Sequence, residues 1–181
     1  MSEYLVLVDE LDRPIGQIEK MAAHAAGLLH RAFSVVVFND DRQVLLQRRA
    51  EGKYHSPGLW SNTCCGHPRP NERTEDAARR RLQEEMGFAC DLTRIGAFKY
   101  RAQFENGLTE HEIDHVFVGT FDGDVQPNPE EVGEFQWMHL YELDDRLAND
   151  GSHYTYWFKK IWELYAPLFP RIIDGDSVET R

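Results

Sequence analysis

The tripeptide Glu105-Asn106-Gly107 most restricts what this chain can fold into. Asn-Gly favours the positive φ angles of a tight hairpin turn. The runs on either side, about Ile95 to Phe104 and Leu108 to Phe121, read as strands. A long antiparallel hairpin is therefore expected in the second half, and an isolated hairpin is not stable unless it joins a larger sheet or packs on a helix. The rest of the chain offers partners. Tyr4-Leu5-Val6-Leu7-Val8 reads as a strand closed by Pro14 and Gly16. Phe33-Ser34-Val35-Val36-Val37-Phe38 reads as a buried strand, with Gln43 to Arg48 returning as its hairpin partner after the turn Asn39-Asp40-Asp41-Arg42. Phe135-Gln136-Trp137-Met138 adds a short strand.

Two helices fit between these strands. One begins at Thr74 as N-cap, carries Glu75 and Asp76 where the helix dipole favours acids, and ends at Gly87. The other, capped by Ser152, sets Tyr154, Trp157, Phe158, Ile161, Trp162 and Tyr165 on one apolar stripe. Strands joined mostly by hairpins, with helices packed on them, define an α+β fold. A chain of 181 residues suits a single domain, expected over residues 1–170, with residues 171–181 as a flexible tail.

Composition excludes several roles. A net charge of −11 argues against a nucleic-acid surface. Local Lys/Arg clusters, Gln47-Arg48-Arg49 with Lys53 and Arg79-Arg80-Arg81, still suit a small anion, because charge is screened over ~10 Å. No apolar run reaches the ~20 residues of a membrane span, and MSEYLVLVDELDRP has no secretory signature. Three cysteines, two of them adjacent, do not form a disulfide framework. A cytoplasmic monomer is expected.

Several residues have chemical potential. Glu85 shares a helix sector with Ala78, Arg81 and Leu82, which puts an acid beside the buried face. It could equally form a surface i,i+4 ion pair with Arg81. In Thr109-Glu110-His111-Glu112-Ile113, strand alternation points Glu110 and Glu112 one way and His111 the other. Parallel carboxylates repel unless a cation or proton lies between them, although a solvated strand face would also explain them. Cys64 and Cys65 sit on opposite sides of an extended segment, so one is expected in the core and one at a site.

From Gly66 the chain reads GHPRPNERTEDAARRRLQEEMGF. This resembles the Nudix box: Gly, five residues, Glu, seven residues, then Arg-Glu-aliphatic-x-Glu-Glu-x-Gly-aliphatic. Gly66, Glu72, Arg80, Leu82, Glu84, Glu85, Gly87 and Phe88 match, whereas Arg81 stands where the box has Glu. Further pieces resemble one branch of that superfamily, the type I isopentenyl-diphosphate isomerases. They are Lys20-Met21-Ala22-Ala23-His24, Leu29-His30-Arg31-Ala32-Phe33-Ser34, Leu46-Gln47-Arg48-Arg49, Asn62-Thr63-Cys64-Cys65-Gly66-His67-Pro68, Tyr100-Arg101-Ala102 and Glu110-His111-Glu112. They run from about residue 20 to 115, with Trp157 a weaker match beyond.

The resemblance implies a Nudix-like mixed β-sheet sandwiched by helices, with an extra N-terminal strand and C-terminal helix. It implies interconversion of isopentenyl and dimethylallyl diphosphate. Carried over by motif, His24, His30 and His67 with Glu110 and Glu112 would ligate one divalent metal, Mn²⁺, Zn²⁺ or Mg²⁺. Three imidazoles argue against Mg²⁺ there. Glu85 would hold a second metal, Mg²⁺, against the diphosphate. Lys20, Arg49, Lys53 and Arg81 would contact phosphate oxygens. Cys65 and Glu112 would form the acid–base pair, and Tyr100 and Trp157 would line the C5 pocket, with Tyr100 at the catalytic centre. Two other readings stay open. A Nudix diphosphohydrolase acting on nucleoside diphosphate derivatives has no need of Cys65 or the Glu110/Glu112 set. A structural zinc site of His24, His30, Cys65 and His67 would be closed and indifferent to Glu110 and Lys53.

Overall fold

The computed structural model describes residues 3–176. Its strands form a nine-stranded sheet. In chain order the elements are β1 (Tyr4–Val8), β2 (Pro14–Glu19), α1 (Lys20–Ala26), β3 (His30–Phe38), β4 (Gln43–Arg49), β5 (Trp60–Ser61), β6 (Cys64–Gly66), α2 (Thr74–Met86), β7 (Leu92–Gln103), β8 (Thr109–Thr120), β9 (Val132–His139), α3 (Leu140–Asp150), α4 (Tyr156–Tyr165) and α5 (Phe169–Ile173).

Strand β3 is the hub. It pairs antiparallel with β1, β4 and β6, and parallel with β8. The Asn-Gly hairpin forms as expected, β7 against β8, with Gly107 at φ 83°. Helices cover both faces of this mixed sheet, α4 on one side and α2 on the other. Val36 and Phe38 point to a core shared with Trp157, Phe158 and Ile161 of α4. Phe33, Val35 and Val37 point the other way, into a core with Cys64 and with Ala78, Leu82 and Met86 of α2. The unbroken apolar run of β3 follows from this double burial.

Several local expectations change. Thr74 is the first residue of α2, and Arg73 is the N-cap, with no side-chain bond. Ser152 lies in a 3₁₀ turn, and Thr155 is the N-cap of α4. Pro14 and Gly16 do not merely end a strand; they belong to β2, an exposed edge paired with β1. Helix α1 has only seven residues, too few for a periodic signal. Helix α3 fully buries only Leu143, with Leu140 and Leu147 beside it on a narrow apolar stripe against the α4 core that the sequence reading passed over. Part of the expected tail is helical, since α5 reaches Ile173 and buries Phe169. Residues 177–181 lie outside the described residues.

Gly87 ends α2 at φ 77°, and a Cβ there would meet Gln126 O at 2.2 Å. That carbonyl belongs to the 126–128 segment, which returns backbone bonds to Met86 O and Glu85 O. Gly87→Ala is therefore expected to lower unfolding stability by ~2 kcal/mol or more, from left-handed backbone and overlap together. Urea denaturation would measure it, and an unchanged midpoint would contradict the close approach.

Candidate active site

The cavity that gathers the chemistry opens where β3, β6, β7 and β8 meet α2 and α4. Lys20, Arg49, Lys53, Cys65, His67, Arg81, Glu85, Tyr100, Glu110, Glu112 and Trp157 all line it. His24 and His30 lie behind its wall, fully buried.

Register explains how distant residues meet. The parallel pairing sets His30 of β3 beside Glu112 of β8, and the hairpin sets Tyr100 opposite Glu112. Strand alternation then brings Glu110 to the same face. Tyr100 Oη lies 2.8 Å from Glu110 Oε2 and 2.7 Å from Glu112 Oε2. His111 points away, with Nδ1 3.1 Å from Gly27 O. Cys65 of β6 pairs with Ser34 and faces the cavity, whereas Cys64 is buried in the α2 core.

The acid groups diverge. Burial and the neighbouring Glu112 charge push Glu110 well above the ordinary carboxylate range. Burial acts on Glu112 in the same sense, but the imidazoles of His30 and His67 overcome it and hold Glu112 well below that range. Their Nε2 atoms lie 3.2 and 2.9 Å from Glu112 Oε1. His30 Nδ1 also donates to Leu28 O, so both ring nitrogens meet acceptors. Burial opposes charge on His30, yet Glu112 raises its pKa. Burial brings His24 and His67 down to about 4.

Can these residues hold a divalent metal? His24, His30, His67 and Glu112 offer ligand atoms all within 4.8 Å of one another. His24 Nδ1 donates to Lys20 O at 2.7 Å, which leaves Nε2 as a buried lone pair with no partner. A ring nitrogen fixed on the outer side and bare on the inner side is the usual state of a histidine ligand. The donor set fits a divalent metal. Glu110 falls in a second, overlapping group with His24 and His55. Neither group contains a cysteine, so the closed zinc site with Cys65 is not the arrangement adopted among the described residues.

Around the rim, each cation meets a carboxylate. Lys20 pairs with Glu3 at 2.9 Å, Lys53 with Glu131, and Arg81 with Glu84, Glu85 and Glu131. Glu85 also accepts from Gln47 Nε2 at 2.9 Å. Arg49 is buried, and its guanidinium lies over the Trp157 ring, 5.2 Å from the centroid. Trp157 belongs at once to the apolar core and to the cavity wall.

Sequence reasoning missed His55, Glu3 and Glu131. His55 lies in the connection between β4 and β5, and no periodicity marks a loop residue. Glu3 and Glu131 are ordinary surface acids until the fold brings cations to them.

The sequence pattern of the NUDIX domain matches residues 28–158. An isopentenyl-diphosphate Delta-isomerase of Burkholderia multivorans is 58% identical over 87% of this chain and 90% of its own length. An isopentenyl-diphosphate Delta-isomerase 2 of Aromatoleum aromaticum is 52% identical over 87% of this chain and 83% of its own. Among solved structures, one from Deinococcus radiodurans superposes with a TM-score of 0.68 at 23% identity, over 82% of this chain and 90% of that one, a likeness of fold alone. The chain belongs to the Nudix family. Its place there is with the isopentenyl-diphosphate Delta-isomerases, the name its close relatives bear.

Two expectations follow from the geometry. His67→Asn should lose bound divalent metal, whereas His111→Asn should keep it, as measured by metal content after gel filtration. Equal loss in both would refute the division of the strand faces. Burial also pushes the Cys65 thiol up to about 12, against the opposing pull of Arg49. Since the thiolate is the reactive form, alkylation of Cys65 by iodoacetamide should still climb about tenfold per pH unit from pH 7 to 10. An ordinary thiol would level off near its own pKa of ~8.5. Mass spectrometry of the labelled peptide reads the rate, and a plateau below pH 10 would contradict the shift.

Proposed function

We propose that the protein interconverts isopentenyl diphosphate and dimethylallyl diphosphate, acting as a cytoplasmic monomer that supplies isoprenoid synthesis. The observation that carries this reading is the meeting of Cys65 with the Glu112–Tyr100 pair in one buried cavity, walled by Trp157 and rimmed by Lys20, Lys53 and Arg81.

Moving the double bond requires a proton delivered to C4 and another removed from C2, through a tertiary carbocation at C3. An alkene is a weak base, so the acid must touch the carbon and water must be kept out. Burial keeps Cys65 in its thiol form, with a proton to give. Glu112, held ionised by His30 and His67 here and by the cation that would replace those contacts once bound, can accept one. Tyr100 bridges Glu110 and Glu112 and orients both carboxylates. Reversal of the reaction exchanges the two roles. An aromatic face can stabilise a cation by ~2 kcal/mol or more when desolvated. Trp157 presents such a ring at the cavity wall, with the Arg49 guanidinium already over it.

His24, His30, His67, Glu110 and Glu112 form the ligand set for Mn²⁺ or Zn²⁺, with Mg²⁺ less suited to imidazole. When bound, that metal supplies positive charge that holds the two carboxylates together. Glu85 offers one carboxylate for Mg²⁺, which commonly binds through one or two carboxylates plus substrate phosphates. Lys20, Lys53 and Arg81 then bind the diphosphate, whose oxygens replace those of Glu3 and Glu131 as their partners. The Arg81 fork can take two oxygens at once.

The direct experiment gives the purified protein Mg²⁺ with isopentenyl diphosphate, and separately a panel of nucleoside diphosphate derivatives. Acid-labile allylic product without phosphate release is expected from the first and no turnover from the second. Hydrolysis of the nucleotides without isomerisation would overturn the proposal. Cys65→Ala should reduce isomerisation by ~10²–10⁴-fold or more, the usual weight of a proton-transfer group. Cys64→Ala should lose stability through a small cavity and keep measurable turnover. Near-normal activity in Cys65→Ala would remove Cys65 from the mechanism.

A further inference from the structure

We propose that His55 is an additional protein ligand of the divalent metal centre, bound through Nε2 beside Glu110 and His24. This rests on the metal-centre reading above and adds a residue outside that ligand set. The donor atoms of His24, His55 and Glu110 lie within 4.8 Å of one another, in a group that shares His24 with the His30, His67 and Glu112 cluster. His55 is 3% exposed and its Nε2 has no hydrogen-bond partner, nor has His24 Nε2. Two buried imidazole nitrogens without partners therefore converge on one carboxylate.

The spacing favours ligation over an ordinary pair. His55 Nε2 lies 2.8 Å from Glu110 Oε1, close enough for a hydrogen bond but without its geometry. Adjacent donors on one ion, each at ~2.1 Å, stand about 3 Å apart. Side-by-side donors have that separation without pointing at each other.

The ring is fixed from several sides. It stacks on Phe104 at 4.6 Å and 4°, and meets Trp157 and Tyr54 edge-on at 5.7 and 4.3 Å. Nδ1 lies 3.3 Å from Ser56 Oγ, and Arg49 donates to the His55 carbonyl at 3.1 Å. Such contacts set ring direction and tautomer for a ligand. With His55 the protein supplies six donors, enough to fill an octahedral sphere. No position is then left for a substrate oxygen. Glu110 and Glu112 would then share one fixed charge, and His55 would tie the loop bearing Lys53 to the carboxylate strand.

The test uses the full chain loaded with Co²⁺ alone. An imidazole bound through Nε2 shows its Nδ1–H as a far-shifted exchangeable proton signal in the NMR spectrum. Four such signals are expected, from His24, His30, His55 and His67. His55→Phe keeps the aromatic stack without the donor, and should show three signals with a Co²⁺ affinity lowered about tenfold or more in chelator competition. Three signals in the unaltered protein, or unchanged affinity and spectrum in the variant, would overturn the proposal. If His55→Phe does not fold, the signal count in the unaltered protein decides alone, and His55→Gln repeats the affinity measurement. Failure of the unaltered protein to bind Co²⁺ at all would overturn the whole metal centre, an outcome distinct from loss of the His55 assignment.

Discussion

Two carboxylates buried side by side on one strand set the terms for the rest of the structure. Like charges ~4 Å apart repel by ~4 kcal/mol even at an effective dielectric of 20. Glu110 and Glu112 are therefore tolerated only with compensation from every side. Tyr100 has one hydroxyl proton for two carboxylates. His30 and His67 place their hydrogen bonds on Glu112 alone, which is why the two acids diverge, Glu110 upward and Glu112 downward. The β3–β8 register, the hairpin register and the placing of α1 all serve this cluster. A divalent cation is the simplest further compensation, and the bare nitrogen of His24 faces where it would sit.

The second constraint is a sheet covered on both faces. The α2 side takes Cys64, Leu82 and Met86 as plain core. The α4 side takes Trp157 and the part of the sheet that opens into the cavity. Adjacent cysteines on one short strand thus receive opposite environments. Isomerisation of an alkene needs such a division. The hydrocarbon must be enclosed away from water, while the diphosphate stays at a polar rim.

That rim is where, in the function proposed above, a chain of net charge −11 would meet an anion. Lys20, Lys53 and Arg81 converge from α1, a loop and α2, and Glu3, Glu85 and Glu131 answer them. Arg81 takes the place of a Nudix-box glutamate. In the function proposed above, one potential metal ligand is thereby exchanged for a phosphate contact.

Much of this was legible in the residues alone. Asn106-Gly107 determined the long hairpin through backbone geometry. Alternation determined that Glu110 and Glu112 share a face and that His111 does not. The same rule separated Cys64 from Cys65, and the box motif marked α2 and Glu85. These are short-range consequences of bond geometry, so they survive without knowledge of the fold. Only tertiary structure decided the rest. The parallel pairing of β3 with β8 brings His30 to Glu112 across 82 positions of chain. It also decided that α1, too short to announce itself, would carry Lys20 and His24, and that a loop histidine would be packed between Phe104, Tyr54 and Trp157. Such contacts arise when the two cores close on the sheet, and their energies belong to residues with no periodic relation to one another.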